Sequence, residues 1–326
     1  MSVLDGIKAR NFLVIGRVGM DLSPDPSGTR TRDATSMMVA MGGSSANIAA
    51  GLVKFGCKAA LVTKVSDDAV GWYCLNQLDH YGVDRTHVHK ITGECRTSLA
   101  VYETRIEEHQ SVIYRNNAAD FQMDIVDVEA VDYSQHGALI TAGTVFAAEP
   151  SRSASFRAFE LARAAGLPII FDVDYRPYSW PSAEVAADVL SRAGSMADVI
   201  VGNDEEFGFM AGGIDKGLDK ARELAGSSAE IVVYKMGPEG AVTFAGGEEL
   251  RTGIFPVKAL KPTGAGDSFM AGLLAALSEG SEMKQAVLRG SACASIVVSR
   301  PGCAPAMPDH NELEAFLTTH PGPTHV

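Results

Sequence analysis

Residues 261–274 read KPTGAGDSFMAGLL, and this stretch decides how the rest of the chain is interpreted. A turn that contains Gly264 and Gly266 runs directly into an apolar, helix-forming segment. Backbone N–H groups at the start of a helix are free to bind an anion, and glycines let that anion approach the backbone closely. The stretch therefore predicts an anion cradle. It is not a Walker A loop, because the chain contains no G-x-x-x-x-G-K-[ST].

Asp267 follows the two glycines and lies inside the predicted cradle. An ionised carboxylate beside a phosphate is unfavourable unless it has a use, such as accepting a proton from an attacking hydroxyl. The alternative is that Asp267 only caps the helix after a glycine turn. The segment by itself leaves both interpretations open.

Along the chain, apolar runs of strand length alternate with longer segments of helical period. This alternation predicts an α/β fold, a doubly wound sandwich with a mainly parallel central sheet flanked by helices. The predicted strands are residues 11–16, 59–64, 138–142, 167–173, 199–202 and 230–235. The predicted helices are residues 45–55, 70–81, 151–165, 183–193 and 215–225.

Two stretches interrupt this alternation, residues 18–41 and residues 95–121. The second contains two short strand-like runs, 98–102 and 111–114. We expect the two stretches to pair as a small β-sheet lid over one main domain that spans residues 1–326. An accessory sheet with exposed edges also suggests a homodimer formed through the lid.

Composition excludes several classes of protein. The 326 residues are 46% hydrophobic and carry a formal net charge of −12, which argues against a broad nucleic-acid or anionic-membrane surface. No run approaches the roughly 20 apolar residues of a membrane helix, and no secretory signal precedes the first strand, so a cytoplasmic location is expected. The five cysteines include no C-x-x-C pair, which indicates reduced packing residues.

A second glycine-rich site opens the predicted helix 45–55. Gly42 and Gly43 allow a ligand to lie against the backbone, and the amide of Asn47 can both donate to and accept from sugar hydroxyls. Asp21 follows the first predicted strand, where ligands of open α/β sheets bind, and could accept two hydroxyl protons. A plain turn with a capping Ser, and a solvated Asp21, are the alternatives.

Taken together, these segments resemble the ribokinase (PfkB-type) family of carbohydrate kinases. Residues 42–49 are similar to its N-terminal signature, 262–269 to its C-terminal one, 203–206 to its N-x-x-E motif, and 235–240 to a strand end that lines the nucleotide. The resemblance implies a ribokinase-like fold that uses ATP and Mg²⁺. It implies these roles: Asp267 as base; Gly264, Ala265 and Gly266 as anion hole; Asp21, Gly43 and Asn47 for the sugar; Asn203, Lys235, Gly237, Gly240 and Thr263 for the nucleotide; Glu206 for the metal.

One departure from the family pattern concerns potassium. The family often has Asp-Thr where Lys261 and Pro262 stand here, and the potassium site of ribokinase draws on that Asp. The departure argues against such a site, although a monovalent cation remains an open alternative.

Two arginines narrow the substrate class. Arg176 follows the predicted strand 167–173, and Arg115 lies in the expected lid. Guanidinium groups bind a carboxylate in bidentate fashion, and a neutral sugar does not need them. We therefore expect a sugar acid, with surface ion pairs as the alternative use of both arginines.

Within the family, the runs GRVGMDL, YRNNAAD and DVDYRPYSW most resemble the 5-dehydro-2-deoxygluconokinases of inositol breakdown. The resemblance implies ATP-dependent phosphorylation of a primary hydroxyl of a keto-deoxy sugar acid. The 2-dehydro-3-deoxygluconokinases are the alternative, followed by a neutral-sugar kinase such as fructokinase. A sugar or nucleotide sensor without catalysis is the alternative from another class, but it would have no need of Asp267.

Overall fold

Within residues 2–324, which the computed structural model describes, thirteen strands and eleven α-helices follow one another along the chain. The strands are β1 (Asn11–Ile15), β2 (Gly19–Pro24), β3 (Met37–Gly42), β4 (Lys58–Ser66), β5 (Asp84–Ile91), β6 (Leu99–Tyr102), β7 (Ser111–Tyr114), β8 (Ala138–Ala142), β9 (Ile169–Asp172), β10 (Val199–Asn203), β11 (Ile231–Lys235), β12 (Ala241–Ala245) and β13 (Glu248–Thr252). The helices are α1 (Val3–Lys8), α2 (Ser44–Lys54), α3 (Ala69–Tyr81), α4 (Ile125–Glu129), α5 (Ser151–Ala164), α6 (Ala183–Ser195), α7 (Asp204–Ala211), α8 (Gly217–Ser227), α9 (Ala265–Ser278), α10 (Met283–Val298) and α11 (His310–Thr319).

The large sheet has nine strands in the order β13-β12-β11-β10-β9-β8-β1-β4-β5. The seven strands from β11 to β5 in this order run parallel, and β12 and β13 add an antiparallel hairpin at one edge. The carboxyl ends of the parallel strands therefore meet at one edge of the sheet, which is where ligands of open α/β sheets bind.

Helices cover both faces of this sheet, because successive side chains of a strand point to opposite faces. On β1, Phe12 and Val14 pack into the core that includes α2 and α9, whereas Leu13 and Ile15 pack into the core that includes α5 and α6. All four are buried. The predicted α/β sandwich with a mainly parallel central sheet is confirmed.

The predicted elements all occur, and their ends differ from those of the structure by at most two residues. Several elements were not expected, among them β5, the β12–β13 hairpin and α10. Strand β5 is largely exposed at the sheet edge and alternates polar residues, so it lacks the apolar run of a buried strand. The segment forms a strand because its backbone pairs with β4.

Neither a membrane-spanning helix nor a disulfide occurs in the described part of the chain. None of its helices is long and apolar enough to cross a bilayer. All five cysteines lie within it and none forms a disulfide.

A second, four-stranded sheet has the order β3-β2-β6-β7, so the two stretches outside the βα alternation do pair with each other. In its central rows Asp21 lies beside Ala100, and Ala100 lies opposite Ile113. These three side chains line the same cleft as the carboxyl edge of the large sheet. The small sheet therefore forms one wall of that cleft.

Candidate active site

A cleft of about 920 Å³ lies between the small sheet and the carboxyl edge of the large sheet. The ends of β9, β10 and β11 and the starts of α2 and α9 contribute its polar lining. Every predicted site residue except Arg115 lines it: Asp21, Gly43, Asn47, Arg176, Asn203, Glu206, Lys235, Gly237, Gly240, Thr263, Gly264, Ala265, Gly266 and Asp267.

The turn before α9 has the geometry that an anion cradle requires. Gly264 precedes the first helical residue with φ +85°, in the left-handed region that favours glycine. A Cβ on Gly266 would lie 3.5 Å from Nζ of Lys235, which stands at the end of β11. The free N–H groups at the start of α9 and the Lys235 ammonium group therefore lie side by side. Together they provide positive charge that can bind a phosphate.

Asp267 lies in the first turn of α9, and its Oδ2 accepts a hydrogen bond from Nδ2 of Asn47 at 2.8 Å. Its side chain therefore bonds to α2 and does not cap its own helix. Burial and the nearby Asp174 raise the pKa of Asp267 to about 6, although Asn47, Arg176 and Lys235 act in the opposite direction. A carboxylate with this pKa is ionised near neutral pH and is more basic than an ordinary Asp, as a general base should be.

Two further carboxylates lie at the end of β9 and just beyond it, and no role was predicted for them from the sequence. Asp172 ends the strand, and Asp174 has φ +34°, which is unusual for a residue with a side chain. Oδ1 of Asp174 lies 2.7 Å from Nη2 of Arg176, and its Oδ2 accepts a hydrogen bond from the Ser44 hydroxyl. The signal that could have identified them is an Asp pair directly after a buried apolar strand.

The charge around Asp174 is dominated by guanidinium groups. Burial raises the pKa of Asp174, but Arg176, the Ser44 hydroxyl, Arg17 and Arg115 together outweigh burial and hold that pKa below its usual value. Asp174 is therefore ionised and compensated in the structure.

Glu206 and Asp172 form the acidic end of the cleft. Oε2 of Glu206 accepts a hydrogen bond from the backbone N–H of Asn203 at 2.8 Å, and Oε1 lies 3.9 Å from Nη1 of Arg176. Burial raises the pKa of both carboxyls, while Lys235 lowers the pKa of both. These two groups lack sufficient positive charge around them.

Magnesium fits this deficit of positive charge. No three acidic, His or Cys side chains within residues 2–324 are grouped so that they could hold a metal ion by themselves. Mg²⁺ in phosphoryl-transfer sites keeps several waters and takes only one or two carboxylates, with phosphate oxygens as further ligands. Glu206 and Asp172 suit that arrangement.

The other end of the cleft contains Asp21, which packs against the paired glycines. A Cβ on Gly42 would collide with the Asp21 carboxylate, and Gly43 has φ +97°. Burial raises the pKa of Asp21 to about 6, opposed by Arg17, Cys303 and Lys261. Gly42 is needed to leave room for the Asp21 carboxylate, whereas a Cβ on Gly43 would collide with the backbone carbonyl group of Arg17.

Arg115 is the predicted site residue that the structure does not bring to the cleft. Its Nη2 pairs with the buried Asp120, its Nη1 donates to the carbonyl oxygen of Thr144, and its guanidinium stacks 4.1 Å from the ring centroid of Phe121. The Asp120 carboxylate already compensates the charge of Arg115. Arg115 therefore lies outside the lining of the cleft and has no free charge to offer a substrate.

Arg17 is the cleft arginine that the sequence analysis missed. It is only 8% exposed, and its Nη1 donates to the Ser98 hydroxyl at 2.8 Å. Among the residues that the structure describes it forms no ion pair, in contrast to Arg115 and Arg176. Its position directly after β1, four residues before Asp21, was the available signal.

Comparison with known proteins agrees with this geometry. The family model described as "pfkB family carbohydrate kinase" matches residues 9–310. A 5-dehydro-2-deoxygluconokinase from Bacillus thuringiensis subsp. konkukian is 35% identical over 323 residues, which is 97% of each chain. One from Geobacillus thermodenitrificans is 35% identical over 318 residues, 96% of this chain and 94% of that protein.

Among solved structures, a double mutant of fructokinase from Vibrio cholerae O395 with fructose, ADP and a potassium ion bound superposes with a TM-score of 0.82. It is 25% identical and covers 94% of this chain and 98% of its own. The fold, the cradle at the start of α9 and these matches over nearly the full length agree: the chain belongs to the pfkB family of carbohydrate kinases and is a phosphotransferase.

Proposed function

We propose that this kinase transfers the γ-phosphoryl group of ATP to a primary hydroxyl of a keto-deoxy sugar acid, with 5-dehydro-2-deoxygluconate of myo-inositol catabolism as the favoured substrate. The observation that carries the proposal is the buried Arg17, a guanidinium in the cleft that forms no ion pair among the described residues, although it lies close enough to Asp21 and Asp174 to lower the pKa of both. The names of the curated relatives support the same substrate. We place the reaction in the cytoplasm, where ATP is available.

In this proposal Asp267 is the general base. The hydroxyl oxygen of the sugar forms a bond to the γ-phosphorus, the bond from that phosphorus to the β–γ bridging oxygen breaks, and ADP leaves. The hydroxyl proton goes to a carboxylate oxygen of Asp267. Asn47 fixes the orientation of that carboxylate through the bond to Oδ2.

The remaining site residues position the two substrates. The N–H groups of Gly264, Ala265 and Gly266 and the ammonium of Lys235 stabilise charge on the phosphoryl group. Asn203, Gly237, Gly240 and Thr263 line the nucleotide end of the cleft, and Asp21, Gly43 and Asn47 line the sugar end. Magnesium, bound near Glu206 and Asp172, supplies positive charge to the phosphate oxygens.

The small sheet acts as a lid in this proposal. Its inner side chains, such as Ala100 and Ile113, face the cleft. Closing this apolar wall over the sugar would exclude water from the cradle and so suppress hydrolysis of ATP.

The substrate assignment is tested by incubating the purified protein with Mg-ATP and 5-dehydro-2-deoxygluconate, 2-dehydro-3-deoxygluconate or fructose. ADP release gives kcat/KM, and ³¹P NMR of the product gives the position of the phosphate. We expect kcat/KM to be highest for 5-dehydro-2-deoxygluconate, with a primary phosphate ester as product. Equal values for fructose and the two acids would contradict the sugar-acid assignment, and binding without ADP release would favour a sensor.

The role of Arg17 is tested by Arg17→Met. Loss of a charge-assisted hydrogen bond costs about 1.5–3 kcal/mol, so kcat/KM for the acid should fall by roughly one to two powers of ten. The value for a neutral sugar should fall clearly less, because only the acid has the group that a guanidinium binds. Arg17→Lys should recover part of the loss, since it restores the charge but not the bidentate geometry.

Arg32→Met is the matched control, because this arginine belongs to the same part of the chain and its side chain is 72% exposed. It should leave both substrates unaffected. Arg176→Met should also impair the acid, but it removes the counter-ion of Asp174 as well, so its effect should extend to neutral sugars. An equal loss for acid and neutral sugar in Arg17→Met would make Arg17 a structural residue.

We also propose a homodimer through the outer face of the lid. Val39 and Val112 are each 46% exposed and Tyr114 is 60% exposed on that sheet. The pairing partners Leu22 and Val101 connect Val39 with Val112 across all four strands. A continuous apolar stripe of this kind suits a second copy of the chain.

Val112→Asp should convert the dimer to a monomer in sedimentation equilibrium at micromolar concentration, because it places a charge in the stripe. Val126→Asp is the control, since Val126 is 69% exposed on α4 and lies outside the small sheet. A wild-type protein that is monomeric under these conditions would contradict the proposed interface.

A further inference from the structure

Lys261 is a fully buried lysine without a carboxylate partner. Its side chain has 0% exposure, and among the described residues it forms no ion pair. Lysine is almost never fully buried unless it is paired, because removing an ammonium group from water is costly. Other interactions must therefore offset the desolvation cost of this ammonium group.

Two backbone carbonyl groups provide that interaction. Nζ of Lys261 donates to the carbonyl oxygen of Thr263 at 2.6 Å and to that of Val297 at 3.1 Å. Val297 belongs to the last turn of α10, where carbonyl oxygens carry the negative end of the helix dipole. Backbone carbonyls around a positive charge are also the oxygen ligands that proteins offer to potassium.

The position of this ammonium links it to the anion cradle. Thr263 directly precedes Gly264, the residue whose left-handed conformation starts α9. The backbone N–H groups of Leu260 and Lys261 also donate to the carbonyl oxygen of Val298, at 2.7 and 3.3 Å. The loop before the cradle is thus tied to the end of α10 by the backbone, and the Lys261 ammonium extends that connection to Thr263.

A potassium ion does not fit this position in the present chain. The carbonyl oxygens of Thr263 and Val297 already accept from Nζ, and a second positive charge beside the ammonium would be repelled. Burial lowers the pKa of Lys261 and outweighs the opposing effects of Cys303, Asp21 and Asp267. The hydrogen bonds from Nζ to the two carbonyl oxygens favour the charged form.

We propose that Lys261 is a built-in monovalent cation: its ammonium fixes the Thr263–Gly264 turn against α10, as a bound potassium ion would, and makes phosphoryl transfer independent of potassium. Lys261 is therefore a positioning residue for the cradle. The inference requires only the phosphoryl transfer of the family and holds for whichever sugar the enzyme accepts.

The first test uses the unmodified enzyme. Initial rates with its best sugar and Mg-ATP are measured in KCl, NH₄Cl, NaCl and tetramethylammonium chloride at constant ionic strength. We expect rates that agree within about twofold, and a Tm that is the same in all four salts. A rate that rises tenfold or more in KCl over tetramethylammonium chloride, or a Tm that rises specifically with KCl, would overturn the proposal.

The second test removes the ammonium. Lys261→Ala leaves space beside the two carbonyl groups, and we expect its rate in tetramethylammonium chloride to fall at least tenfold. KCl or NH₄Cl should recover part of that rate and raise the Tm of the variant, because a cation that binds only the folded state stabilises it. Lys261→Met fills the same space without a charge, and its rate should fall without recovery.

Lys54→Ala is the matched control. Nζ of Lys54 also donates to two backbone carbonyls, those of Pro305 and Met307, but it lies at the end of α2 and not beside the cradle. Its rate should show no dependence on the cation. If Lys261→Ala loses rate and Tm equally in all salts, Lys261 acts through packing alone and the proposal is wrong. Failure of the sugar-acid assignment would leave the cation series unchanged.

Discussion

The structure depends on keeping charged side chains out of water at one edge of a parallel sheet. Five carboxyl groups line the cleft: Asp21, Asp172, Asp174 and Glu206, which are buried, and Asp267, which is half-buried. Four cationic side chains line it with them: Arg17, Arg176, Lys235 and Lys261. Burial disfavours the charged form of the carboxyl groups and of Lys261, so each of these needs an opposite charge or a hydrogen bond nearby. The shortage of positive charge is greatest around Asp172 and Glu206, which is where magnesium with its phosphate ligands would supply it.

The fold provides this arrangement through the parallel strands. Because β9, β10 and β11 all end at the same edge, Asp172, Asn203 and Lys235 meet there although they are far apart in the sequence. Helices α2 and α9 begin at the same edge, and the bond between Asn47 and Asp267 joins their first turns. A change in the register of the sheet would therefore disturb both the cradle and its base.

Much of this arrangement could be predicted from the sequence. The Gly264–Gly266 turn predicts α9 and its anion cradle. The residue before this helix has a left-handed backbone conformation, which glycine adopts far more readily than other residues do. Buried parallel strands are apolar throughout, so their positions are visible as continuous apolar runs. Strand β5 is different because its structure comes from pairing at an exposed edge.

The arginines show what the sequence could not provide. Arg115 and Arg176 are equally plausible ligands for a carboxylate when only residue types are known. Both form ion pairs in the structure, but only Arg176 lines the cleft, whereas Arg115 pairs with Asp120 outside the cleft lining. Arg17 was missed because the position and the ion pairs of a guanidinium are properties of the folded chain. Lys261 was recognised in the sequence only as a departure from the family pattern, and its carbonyl partners become visible when α10 packs beside the cradle.

The central claim is that a buried, weakly acidic Asp267 removes the hydroxyl proton of the sugar. The most direct measurement is the pH dependence of kcat/KM for the best sugar, in the wild type and in Asp267→Asn. Protonated Asp267 cannot accept a proton, so kcat/KM should fall as the pH decreases through about 6, the value to which burial and Asp174 raise the pKa of Asp267 against Asn47, Arg176 and Lys235. Asp267→Asn should lower kcat by roughly 10²- to 10⁴-fold with little change in ATP binding. A variant that retains wild-type kcat would contradict the assignment of Asp267 as the base, and so would a wild-type kcat/KM that stays constant as the pH decreases through about 6.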